Sequence, residues 1–121
     1  MSKIDGAVPV HFDGRAYEMK ASFAAILAIE EELGYGLVPL ATQLVSRNFG
    51  LKELSIVIYH GLKAGGDEVK PTREQVREKV FRQGVMDEAL LKAINLFIEY
   101  ALNGGIEPEK KPEAAENKSK S

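Results

Sequence analysis

Glu30, Glu31 and Glu32 form an unbroken run of three carboxylates, and His11 and His60 are the only imidazoles in the chain. Two carboxylates can share acid and base work only if they flank one substrate. Successive residues of a helix point about 100° apart, so adjacent glutamates do not meet that condition. The two histidines have no clustered acids beside them in sequence, which gives no recognisable metal-ligand spacing. The chain has no cysteine, which removes disulfides, thiolate metal sites and cysteine nucleophiles. It contains no Gly-x-Gly-x-x-Gly, no Walker loop and no Gly-x-Ser-x-Gly. Gly65-Gly66 follows a helical pattern rather than a strand, so it reads as a helix stop and not as a phosphate cradle. The expectation is no enzyme, no cofactor and no metal. His11 reads as a surface residue of a strand and His60 as the edge of a core helix.

The acids sit on an element that makes them unusual. Ser22 to Leu33 reads as an amphipathic helix with Phe23, Ile26, Leu27, Ile29 and Leu33 on one side, Ser22 as N-cap and Gly34 as its stop. Glu30 falls inside that apolar arc, one turn beyond Ile26 and Leu27. The two acids that follow, Glu31 and Glu32, lie in the last turn, where the helix dipole disfavours each negative charge by roughly 0.3–1 kcal/mol. Three roles fit Glu30. It can snorkel to water at the edge of the stripe, or anchor the Gly34-Tyr35-Gly36 turn and the next helix N-terminus through backbone N–H groups, or meet a partner. The anchor is the role we carry forward.

The surrounding elements follow from periodicity. Val8 to Phe12 and Arg15 to Met19 alternate around Asp13-Gly14, the signal of a two-residue hairpin. Val8, Val10 and Phe12 share one face, with Tyr17 and Met19 opposite them, and Pro9 marks an edge strand. Pro39 suits the first turn of a short helix that runs to about Arg47, with Val38, Leu40, Ala41, Leu44 and Val45 as its apolar residues. Leu51 to Ala64 has so little polar surface that it should be central. Thr72-Arg-Glu-Gln75 matches a capping box opening a helix to Gln83, with Val76 and Val80 inward and Gly84 as stop. Asp87 caps a last helix, Glu88 to Asn103, with Leu90, Leu91, Ile94, Phe97, Ile98, Ala101 and Leu102 on one face. The fold class is therefore mainly α with a small N-terminal β-hairpin, about five helices packing around the apolar helix 51–64. Residues 1–103 make one domain, and 104–121, with Ile106 as the sole large aliphatic, read as a disordered charged tail.

At 121 residues and 45% hydrophobic content the chain supports one core. A net charge of −2 gives no general attraction to nucleic acid or an anionic membrane. No apolar run reaches the roughly 18 residues of a membrane span, and Met1-Ser-Lys-Ile-Asp-Gly6 is not a signal sequence, so a cytoplasmic protein is expected. Helices 38–47 and 51–64 imitate a helix-turn-helix, but the second would have to expose Ile56, Val57 and Ile58 to a groove instead of burying them. Between Lys70 and Arg82 stand five basic and two acidic side chains, opposite in sign to the run at 30–32. They can form a solvated face with local pairs. Alternatively Glu31 and Glu32 can meet Arg73 and Arg77, within the chain or between copies; between copies the contact is head-to-tail and makes a homo-oligomer.

The order of motifs carries a resemblance. Phe12-Asp-Gly-Arg-Ala-Tyr17, Phe23-Ala-Ala-Ile-Leu-Ala-Ile-Glu-Glu-Glu-Leu-Gly34, Leu54-Ser-Ile-Val-Ile-Tyr-His-Gly-Leu62, Gly65-Gly66, Thr72-Arg-Glu-Gln-Val76 and Gly84 follow one another over residues 8–103. This resembles the tail assembly chaperones of gene transfer agents and related tailed phages. The resemblance implies a helical, self-associating, non-enzymatic protein in the cytoplasm of a bacterial host cell. It implies the tape-measure protein as client, with the tail tube protein as a further partner. It supplies no binding residue position by position. A structural tail protein, tube or connector, is the second reading and a small DNA-binding regulator the third. Ile56, Tyr59, Phe49 and Tyr35 can serve a client-binding surface or the core, with core the better fit for each.

Overall fold

A computed structural model describes residues 7–12 and 14–105 of the chain. The N-terminal sequence 1–6, Asp13 and the tail from Ile106 lie outside the described residues, and with them the tail expectation and half of the expected hairpin turn.

Strands β1 (Ala7–Phe12) and β2 (Arg15–Lys20) pair antiparallel, with Phe12 opposite Arg15 and Val8 opposite Met19. A two-residue loop closes them, and Gly14 has φ of 72°, the positive value such a turn requires. Pro9 faces Glu18, whose N–H points away from the ladder to the Asp67 carboxylate at 2.8 Å. That pair exchanges no ladder hydrogen bonds, so the proline breaks none. Val8, Val10, Phe12, Tyr17 and Met19 are all buried, while Pro9 and His11 face outward.

Five helices follow: α1 (Phe23–Leu33), α2 (Leu37–Val45), α3 (Leu51–Ala64), α4 (Arg73–Gln83) and α5 (Glu88–Leu102). The chain marks their ends. Ser22 Oγ accepts from Ala25 N–H, Asp87 accepts from Leu90 N–H, and Thr72 and Gln75 exchange side-chain and backbone bonds in a full capping box. Gly34 stops α1 in the left-handed region at φ 87°. Helix α2 ends two residues before the expected Arg47. Arg47 takes φ 62°, Asn48 N–H bonds to Gln43 O and Arg47 N–H to Leu44 O. This is a Schellman close with an arginine where glycine is usual.

Helix α3 is central, packing against α1, α4, α5 and β2. Leu54 to Ile58 are buried without a break, followed by His60, Gly61 and Leu62. Two glycines permit the closeness. A Cβ on Gly61 would lie 3.0 Å from Phe97 and 3.1 Å from Met19, and one on Gly65 would fall 1.8 Å from the Glu18 carbonyl oxygen. Gly65 thus brings the end of α3 against the β2 backbone, beside Asp67, which caps the β2 edge. The orientation of α3 settles the helix-turn-helix question, because Ile56, Val57 and Ile58 are core and are not offered to a groove.

Several apolar side chains are not where periodicity puts them. On α1 the buried residues are Ala25 and Ile29, with Ile26 and Leu33 half-buried, whereas Phe23 is 83% and Leu27 43% exposed. On α2, Leu40 and Leu44 are buried, but Val38 is 65% and Val45 78% exposed. The expected faces were too wide: each helix meets neighbours on one narrow side only. At the end of α5, Tyr100 is buried and Leu102 is exposed, the reverse of the expected order. Ile56 is core, and Tyr35, Phe49 and Tyr59 pack half-buried against it.

Candidate functional site

The C-terminal end of α1 gathers the charged residues singled out in the sequence, and the three adjacent glutamates have three different fates. Glu30 turns toward the next helix. Its Oε2 accepts the Leu37 N–H at 2.8 Å, one of the donors at the start of α2 that lack a partner in the helix. The N-cap residue, Gly36, has no side chain of its own to do this. Glu30 also places its negative charge at the positive end of the α2 dipole. The carboxylate therefore bridges the Gly34-Tyr35-Gly36 turn.

Glu32 turns toward the core. Its Oε1 lies 2.8 Å from His60 Nε2 on α3, and its Oε2 accepts from Arg73 Nη1 on α4 at 2.5 Å. The Arg73 guanidinium stacks over the Tyr59 ring with its carbon 4.5 Å from the centroid, and Tyr59 meets His60 edge-on. One carboxylate thus ties three helices. The His60 hydrogen bond, aided by Arg73, holds the Glu32 carboxyl below its ordinary value, against the opposing effect of burial. The last turn of α1 contains no base of its own, and the cation that offsets its dipole, Arg73, comes from α4. His60 was expected to be a core-edge residue, and nothing in the spacing of the chain announced its partner 28 positions away.

Glu31 points outward and is exposed. Of the residues considered for a contact between copies, Glu32 and Arg73 are thus engaged with each other within the chain, and Arg77 lies 3.6 Å from Glu74 on its own helix. Arg82 pairs with Glu78 in the same local way. Among these residues Glu31 alone has no ion pair within the described residues.

Beside the outer face of α1 runs a groove of about 490 Å³, floored by Ala24, Ala25 and Ala28 and walled by Lys20, Ser22, His60, Lys63 and Ala64. It is mostly apolar with two lysines on its rim. A smaller, polar depression of about 230 Å³ lies between the hairpin and α4, lined by Arg15, Tyr17, Lys70, Gln75 and Lys79 among others. Lys70 is bound there to the carbonyls of Leu62 and Gly65, where it closes the end of α3. Among the described residues, no three His, Cys, Asp or Glu side chains are placed to hold a metal ion, and no helix is long and apolar enough to cross a membrane. Geometry of this kind fixes helices and presents surfaces.

The family model described as "Phage tail tube protein, GTA-gp10" matches residues 5–111 of the chain. No curated protein and no solved structure matches the chain.

Proposed function

The chain belongs to this phage tail family of the gene transfer agent type, and from that premise we propose that it is a non-enzymatic building component of a phage-type tail, a tube or connector protein retained in the particle. The observation that supports this reading is the tail-tube description of a family that extends over the hairpin and all five helices. A small, tightly knit body with outward apolar and charged faces suits repeated contacts between subunits. Its partners on this reading are tail proteins, the tube protein first, and its place of assembly is the cytoplasm of the bacterial host.

A second reading has its own support. Phe23, Leu27, Val38 and Val45 present large apolar side chains to solvent on the first two helices. A tail assembly chaperone that escorts a long helical client such as the tape-measure protein would use surfaces of that kind. Mass spectrometry of purified particles separates the two. A structural component is present in mature tails in many copies. Its absence there, with recovery alongside the tape-measure protein from lysates before assembly, would replace the structural reading with the chaperone.

A further inference from the structure

Helix α1 carries a complete, self-complementary strip on its outer face. Phe23, Leu27 and Glu31 stand four residues apart and therefore line up along the helix, with Ala24 and Ala28 beside them. Phe23, Ala24, Leu27 and Glu31 are all exposed. Next to the strip lies the alanine-floored groove, with Lys63 on its rim and Lys20 three residues before the start of α1, whereas Glu31 stands in the last turn of that helix. None of Lys20, Lys63 and Glu31 forms an ion pair among the described residues. The face is thus basic at one end, apolar along the middle and acidic at the other.

We infer that this face is a two-fold interface with a second copy of the chain, α1 packing antiparallel against α1. A strip with opposite charges at its two ends is complementary to itself only when one copy is reversed, which is the isologous arrangement of a closed dimer. Setting Ala24 against Ala28 of the partner subunit centres the pair at position 26. Glu31 then lies opposite position 21, beside Lys20 of the partner subunit. The alanines let the helices approach closely, and the large side chains Phe23 and Leu27 enter the groove next to the opposing helix. The head-to-tail contact considered from the sequence sets Glu31 and Glu32 against Arg73 and Arg77, and within the chain Arg73 is held by Glu32 and Arg77 stands 3.6 Å from Glu74. The inference concerns the free chain in solution, before any incorporation into a tail, and so stands on either reading of its role.

Sedimentation velocity of the full chain over a range of concentrations reads the result. A monomer of 13.3 kDa is expected to convert to a dimer and to stop there. Leu27→Glu should weaken dimerisation by about tenfold or more while leaving the melting curve cooperative, since the side chain is exposed. Glu31→Lys should weaken it too, and adding Lys20→Glu to the same chain should restore it. Because the chain has no cysteine, Leu27→Cys, one position from the axis, should oxidise to a covalent dimer while Lys92→Cys on α5 should not. A monomer at every concentration overturns the inference. So does an assembly that keeps growing beyond two copies, or a dimer indifferent to Leu27→Glu.

Discussion

Helices α1 and α3 are both rich in aliphatic residues, and they are packed side by side, yet their apolar residues meet opposite ends. Helix α3 has α1, α4, α5 and the hairpin around it and buries Leu54, Ile56, Val57, Ile58 and Leu62. Helix α1 has α3 on its inner side and solvent on the other, so Ala25 and Ile29 are covered while Phe23 and Leu27 are not. The contrast teaches that apolar content alone does not say which residues make the core. The number of elements that surround a helix decides how wide a face it hides.

Truncation should separate the two helices most sharply. Ile58→Ala removes a fully buried side chain from the middle of α3 and should cost about 3–4 kcal/mol in a denaturant titration. If Ile58→Ala cost no more than a surface substitution, α3 would not be the centre of the core.

The next effect comes from the turn that joins α1 to α2. Glu30→Ala leaves the Leu37 N–H without its carboxylate and should lower stability by about 2 kcal/mol, with Glu30→Gln recovering part of it through the amide oxygen. An unchanged melting temperature for Glu30→Ala would mean that water replaces the carboxylate at no cost.

The Glu32 clamp is more exposed and should be worth less, about 1 kcal/mol. Its signature is in the pH dependence. Folding lowers the Glu32 pKa, so the folded state binds the proton less readily than the unfolded one. That contribution is fully present above the carboxylate value of the unfolded chain and is lost as the pH falls through the lowered folded value. Glu32→Gln should therefore flatten the acid limb of the stability profile. An acid limb identical to that of the natural chain would show that Glu32 contributes nothing to it.

The smallest expected change completes the contrast. Phe23→Ser on the outer face of α1 should alter monomer stability by only about 0.5 kcal/mol, although it removes a larger side chain than Ile58→Ala does. A loss near that of Ile58→Ala would place Phe23 in the core and erase the difference between the two helices.

Local chemistry made most of the fold legible. Ser22, Thr72 and Asp87 marked helix starts because their side chains can satisfy nearby backbone donors, and Gly34 and Gly84 marked stops through positive φ. The alternation of Val8, Val10 and Phe12 fixed the inward face of the hairpin. The end of α2 falls within two residues of the expected Arg47, but the left-handed conformation of Arg47 that closes it carries no signal in that residue's identity. The Glu30 anchor spans only seven residues, and opposite charge made a Glu32–Arg73 pair one option across 41 positions, while the link from Glu32 to His60, 28 positions away, had no signal in the sequence.

What the sequence determined by itself is the set of elements, their caps and the central place of α3, because these rest on interactions within a turn or on a helix too apolar to face water. What only the tertiary structure decided is which of three adjacent glutamates anchors a turn, clamps three helices or faces outward, and which apolar residues of α1 and α2 are left uncovered. Those outcomes depend on elements distant in sequence, and a side chain's surroundings are set by what packs beside it.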